Sequence, residues 1–138
     1  MIKSILTPTR NRPNNCERFI RSVYNSTTSK QNVEMLFYVD NDDPAINAYK
    51  SLELHSKKEF EDFKNIKFIF DEPQSVSISW NDLAEKCVGD VLIMGNDDLV
   101  YQTTSWDELL DVELKQFEKD EIYVAYMEDG INGERHCA

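Results

Sequence analysis

Five short apolar runs, at residues 2–6, 33–39, 66–70, 91–94 and 122–127, alternate along the sequence with stretches whose apolar residues recur at helical spacing. Runs of this length read as strands. The run at 33–39 is apolar at nearly every position, as a strand covered on both faces would be. A strand, a helix and a second strand in succession pair most readily in parallel, with the helix crossing one face of the sheet. The expected fold is therefore α/β, a mostly parallel central sheet with helices on both faces.

The residues between the runs fit this plan. Residues 7–13 hold two prolines and two threonines and are expected to form a loop. Asn14 or Asn15 is expected to cap a helix through Phe19, Ile20 and Val23, ended by the polar residues 25–31. A second helix is expected from residue 45 to about 54, and Phe60 and Phe63 in the charged stretch 57–64 read as ordinary core contacts. Ser77 or Ser79 is expected to open a helix through Trp80, Leu83, Ala84 and Cys87, closed by Gly89. Ser105 with Glu108 three residues on reads as a capping box, whose helix would turn Leu109, Val112 and Leu114 inward. Trp106 would pack over the sheet edge. With no internal repeat or linker, residues 1–138 are expected to form a single domain.

Composition excludes several classes. The net charge of −11, from 26 acidic and 15 basic residues, would repel DNA or RNA, so nucleic acid is not the expected partner. A nucleotide remains compatible, because a divalent cation held by carboxylates inverts the local sign. Cys16, Cys87 and Cys137 are odd in number and widely spaced, and read as free thiols in a reducing compartment. His55 and His136 are too few for a histidine metal cage. No apolar run approaches the roughly 20 residues that cross a bilayer. The N-terminus has no signal-peptide pattern, so a cytoplasmic protein is the default expectation.

Parallel sheets bind ligands beyond the carboxyl ends of their strands. Here the runs end in Thr7-Pro8-Thr9-Arg10, Asp40-Asn41-Asp42-Asp43, Asp71-Glu72, Asn96-Asp97-Asp98 and Glu128-Asp129. One basic loop and four acidic clusters should collect along one edge. The adjacent carboxylates of Asp97 and Asp98 need water, a cation or hydrogen-bond donors to offset their charge. They either hold Mg²⁺ or Mn²⁺ through oxygen, leaving positions for diphosphate and water, or form a surface turn. Arg10 and Arg12 either meet a phosphate or pair with the acidic edge, and Asp40 either meets a ligand or caps the next helix.

The segment from Ile5 to Pro13, the strand ending in Asp40, and the stretch from Trp80 to Asp98 together resemble glycosyltransferase family 2 with the GT-A fold. The last stretch is similar to that family's Asn-bearing helix, Gly-Asp turn, hydrophobic strand and DxD metal motif. The likeness covers about residues 2–110. It implies that Thr7, Thr9 and Arg10 line a nucleotide, with Arg10 or Arg12 at a phosphate, and that Asp40 meets the base. Asn81, or Trp80 beside it, would lie against the nucleoside. Asn96, Asp97 and Asp98 would occupy the DxD position next to the nucleotide, with Asp98 and Asp97 the ligands of Mn²⁺ or Mg²⁺. Asn96 departs from the motif, whose first residue is an acid, and an amide binds a hard cation less strongly.

The implied donor is a nucleotide-diphosphate sugar, UDP-sugar first, and the implied reaction is metal-assisted sugar transfer to an acceptor. Family members usually continue into an acceptor-binding region, so this chain is expected to lack part of it. Deprotonating an acceptor needs a base; Glu128 and Asp129 are the candidates, although Asp129-Gly130 also reads as a plain turn. Two other functions compete. A nucleotidyltransferase would carry a glycine-rich loop after the first strand, and residues 7–13 contain no glycine. A non-catalytic nucleotide-sugar-binding module is consistent with Asn96.

Overall fold

A computed structural model of the protein describes residues 1–117, 119, 124 and 125. Among the described residues four strands, β1 (Lys3–Thr9), β2 (Val33–Asp40), β3 (Asn65–Asp71) and β4 (Val91–Met94), form one all-parallel sheet in the order β3-β2-β1-β4. The helices are α1 (Pro13–Ser26), α2 (Ile46–Glu59), α3 (Val76–Lys86) and α4 (Trp106–Leu114). The fifth apolar run, at 122–127, lies outside the described residues except for Val124 and Ala125.

The order of the strands decides where the helices go. From β1 to β2 to β3 the chain steps one way across the sheet, so right-handed crossovers leave α1 and α2 on one face. It then returns to the far side of β1 for β4, which sends α3 over the other face. Two cores result. On the first face Ile5, Met35, Phe37, Val39 and Phe68 pack against Cys16, Phe19, Ile20 and Val23 of α1 and Tyr49 of α2. On the second, Leu6, Leu36 and Tyr38 pack against Leu83 of α3. Strand alternation explains the division, since odd positions of β1 face one side and even positions the other.

Several element boundaries differ from the sequence-based expectation. Residues 7–9 were expected in a loop, yet they complete β1, with Pro8 paired to Tyr38. The carbonyl of Leu6 faces Gly95, so the nitrogen of Pro8, two residues on, faces the same side, where β4 has already ended. A proline there costs the ladder no hydrogen bond. Helix α1 starts at Pro13 without a side-chain cap, so neither Asn14 nor Asn15 plays that part. Proline at the first helical position lacks only an N–H that had no partner anyway. Ser75, two residues before the expected cap, accepts from the amide of Ile78 and opens α3. Helix α2 runs on to Glu59, past the expected end at 54.

The capping box at Ser105 does not form. Ser105 has a left-handed backbone (φ 59°), and its hydroxyl pairs with that of Thr28 at 2.7 Å. Trp106 is buried, its Nε1 donating to Thr27 Oγ1 at 2.9 Å, and Asp107 accepts the amides of Thr28 and Ser29. These bonds fix the rotation of α4. Trp106, Leu110 and Leu114, four residues apart, face the core, whereas Leu109 and Val112, expected inside, are exposed.

Candidate functional site

The order in which strands are added across the sheet reverses between β1 and β4, and parallel sheets take ligands in the crevice at such a point. Strand β4 stops at Met94 while β1 continues to Thr9, so residues 95–98 turn beside the end of β1. The Gly95 amide donates to the Leu6 carbonyl at 2.7 Å. A Cβ on Gly95 would run into the Thr7 hydroxyl and the Ile5 side chain, so the close approach requires glycine.

Past Gly95 the side chains alternate out, in, out. Asn96 and Asp98 are exposed, and Asp97 is wholly buried. Asp97 Oδ2 accepts the Thr9 hydroxyl at 2.7 Å. With that proton given to Asp97, Thr9 Oγ1 accepts from the Tyr49 hydroxyl at 2.8 Å and from the Cys16 thiol at 3.2 Å. Tyr49 in turn accepts the backbone amide of Arg12 at 2.9 Å. The guanidinium of Arg12 comes back to within 3.1 Å of Asp97 Oδ1. This last contact attracts by charge but is misaligned, because Oδ1 has no hydrogen-bond partner among the described residues. The result is a closed ring through Asp97, Thr9, Tyr49 and Arg12. Burial pushes the Cys16 thiol and the Tyr49 phenol each up to about 12, so both stay protonated donors at neutral pH.

Arg10 turns the other way. Its Nη1 lies 2.9 Å from both Asp40 Oδ2 and Asp42 Oδ1, and these hydrogen bonds and charges, Asp42 first, raise its pKa. Asp43 is buried and accepts the amides of Asn11 and Ala45, each at 2.8 Å, which holds Asn11 in a left-handed conformation (φ 51°). Asp40 and Asp71 are register partners at the ends of β2 and β3. Trp80, half-buried, donates its Nε1 to the Leu6 carbonyl at 3.0 Å, and Asn81 beside it is exposed. Thr7 is buried, its hydroxyl without a partner among the described residues.

The expected gathering at the strand ends therefore forms: Thr9 meets Asp97, Arg12 meets Asp97, and Arg10 meets Asp40. Glu128 and Asp129, the candidate bases, lie outside the described residues, as does His136. Asp43 was expected there only as one of the acidic residues after β2, and its part in holding Asn11 is added by the structure. Tyr49 and Cys16 were not foreseen at the site, and nothing in the helical pattern around Tyr49 marks its hydroxyl.

The two expected metal ligands separate. Asp98 is open to solvent with the Asn96 amide nearby in sequence, whereas Asp97 is turned inside with one oxygen committed to Thr9. Among the described residues no three His, Cys, Asp or Glu side chains are grouped to hold a metal. The residues fit a cation that takes one protein carboxylate and completes its shell with diphosphate oxygens and water, a mode common for Mg²⁺. They do not form an all-protein cage.

Comparison with known proteins agrees with this fold. Glycosyl transferase family 2 matches residues 4–134 of the chain. No curated protein matches it. Among solved structures the fold is similar to the mannosyltransferase PcManGT from Pyrobaculum calidifontis in complex with GDP-Man and Mn²⁺, with a TM-score of 0.69, 12% identity, and 87% of this chain and 33% of that chain covered. It is also similar to S. aureus TarS, with a TM-score of 0.65, 12% identity, and 84% and 20% covered. TarS 1–349 in complex with UDP gives 0.61, 11% identity, and 91% and 38% covered. The chain thus spans between a fifth and two fifths of these proteins. Among the described residues no helix is long and apolar enough to cross a membrane. With its all-parallel sheet and a family match over nearly its whole length, the chain belongs to glycosyl transferase family 2 and has the GT-A fold.

Proposed function

We propose that this chain is the donor-binding part of a glycosyltransferase, taking a nucleotide-diphosphate sugar, UDP-sugar first, in the crevice between β1 and β4. The observation that supports this is the Thr9–Asp97 bond, which ties the 95–98 turn, with Asn96 and Asp98 exposed on it, to the end of β1 just before Arg10 and Arg12. Arg10 or Arg12 is the cation for a phosphate, and Asp40 meets the base. Asn81, or Trp80 beside it, lies against the nucleoside. Thr7 and Thr9 shape the wall behind it. Asp98 is the protein ligand for Mn²⁺ or Mg²⁺, assisted by Asn96. When bound, the cation supplies positive charge that stabilises the diphosphate leaving group. Neighbours solved with GDP-Man and Mn²⁺ and with UDP support this donor class and a divalent metal.

The acceptor's base is proposed at Glu128 or Asp129 from sequence. Cys16 and Cys87, both free thiols, suit a cytoplasmic location. A second reading, a binding module without catalysis, is favoured by one observation: Asn96 stands exposed where the family motif has its first acid.

Calorimetry with UDP, GDP and their sugars, with and without Mn²⁺, tests the proposal. Binding that strengthens with Mn²⁺ in the wild type and loses that dependence in Asp98→Ala supports it. Metal-independent binding, or none, refutes it. Release of free sugar from the bound donor then separates transferase from module.

A further inference from the structure

The middle acid of the motif and two residues behind it are buried, yet they connect the end of β1, helix α2 and the 95–98 turn. We infer that Asp97, Thr9 and Tyr49 are positioning residues: the Tyr49–Thr9–Asp97 chain fixes the 95–98 turn and the Arg12 turn relative to each other, so that helix α2 sets the distance between the metal-facing and phosphate-facing groups. This moves Thr9 and Asp97 from direct contacts with nucleotide and metal to residues acting through Asp98 and Arg12.

The geometry supports each link. Asp97 is fully buried between exposed Asn96 and Asp98, so the backbone orientation that keeps its side chain inside also turns both neighbours outward. Its Oδ2 is held by Thr9 at 2.7 Å, and Thr9 is held by Tyr49 at 2.8 Å. Tyr49 is among the largest wholly buried side chains, packed beside Phe68, so its hydroxyl is an immobile anchor and not a swinging arm. The same hydroxyl accepts the Arg12 amide at 2.9 Å, and the Arg12 guanidinium reaches Asp97 from the solvent side. One phenol oxygen is thus bonded to the basic turn directly and to the acidic turn through a single hydroxyl. In a buried network of this kind an unmade bond leaves the remaining groups unsatisfied, so the loss of one member loosens both turns.

The part of this inference that concerns ligand affinity rests on the proposed donor site; the part that concerns the two turns does not. The test uses Tyr49→Phe, which keeps the ring and removes only the hydroxyl, and Thr9→Val, which keeps the shape, as a second variant should the first fail to fold. Amide hydrogen exchange is followed in the free protein at Gly95 and Leu99, whose N–H groups bond to the Leu6 and Asn96 carbonyls. Amides of the β1–β2 ladder serve as the reference for global stability. We expect exchange at Gly95 and Leu99 to speed up about tenfold more than in the ladder, the scale of one buried hydrogen bond. UDP affinity measured with Mn²⁺ should fall by a similar factor. Equal acceleration everywhere overturns the inference, as does unchanged UDP–Mn²⁺ affinity in variants whose turns have loosened. If the wild type binds no UDP, the donor-site proposal fails, and the exchange comparison alone still decides whether the ring fixes the turns.

Discussion

The guanidinium of Arg12 lies 3.1 Å from Oδ1 of Asp97, a half-exposed cation against a carboxylate with no solvent exposure at all. That pairing joins the first turn of the site to the last. It also explains how a strongly acidic chain can bury a carboxylate next to its crevice. The charge of Asp97 is offset by one aligned hydroxyl and one nearby cation.

Removing that cation should therefore cost more than a surface substitution. Arg12→Met is expected to lower unfolding free energy by about 1–3 kcal/mol, because Asp97 is left charged, buried and short of a partner. Asp97→Asn in the same chain should recover part of the loss, since the amide needs no counter-charge. Chemical denaturation of the two single variants and the double variant measures the coupling. Strict additivity would contradict it.

Alkaline solution should weaken the fold through the same ring. Burial raises the Cys16 thiol from 9.0, and the Tyr49 phenol from 10.0, to about 12 each in the folded protein. A folded pKa above the unfolded one means stability that is complete below the unfolded value and lost as pH rises through the folded one. The unfolding midpoint is expected to hold up to about pH 9 and to fall steadily towards pH 12. Cys16→Ala should flatten the start of that decline, as read by thermal unfolding at successive pH values.

Gly95 should tolerate no side chain. Gly95→Ala is expected to destabilise by about 1–3 kcal/mol, the usual range for overpacking a filled space. The new methyl group meets the Thr7 hydroxyl and the Ile5 side chain. Adding Thr7→Ala should relieve part of the strain. Thermal melts of the single and double variants settle the point, and a neutral Gly95→Ala would show that the turn approaches β1 less closely.

The acid limb has a smaller, separate contribution from the Arg21–Glu59 pair. A hydrogen bond from Arg21, then its charge, lowers the pKa of Glu59. A lowered carboxylate pKa gives stability that is present above about pH 4.5 and lost as pH falls through the folded value. Both groups are exposed, so the effect is small and screened by salt. Glu59→Gln should make acid unfolding slightly less steep at low ionic strength and leave it unchanged at high salt.

Much of the fold was legible in the sequence because its strands are buried runs with sharp polar ends. The run at 33–39 and the short run at 91–94 were placed to within a residue of β2 and β4. The polar tips were read as one edge, and the Thr9–Asp97 and Arg10–Asp40 contacts bring them together. Helix starts were less legible. Several nearby Ser and Asn residues can each serve as a cap, and tertiary bonds decide among them, as Thr28 does by drawing away the Ser105 hydroxyl. The rotation of α4 depended on where the Trp106 indole found an acceptor, which spacing cannot reveal. Side-chain direction at Asp97 was hidden for the same reason. Two adjacent aspartates look alike in sequence, and only the turn after Gly95 sends one inward and the other out.

The most direct measurement is a crystal structure of the protein with UDP and Mn²⁺. The diphosphate is expected between β1 and β4 beside Arg10 or Arg12, with the metal on Asp98 and with Asp97 still bonded to Thr9. Nucleotide on another surface, or metal coordinated by Asp97 with the Thr9 bond broken, would contradict that expectation.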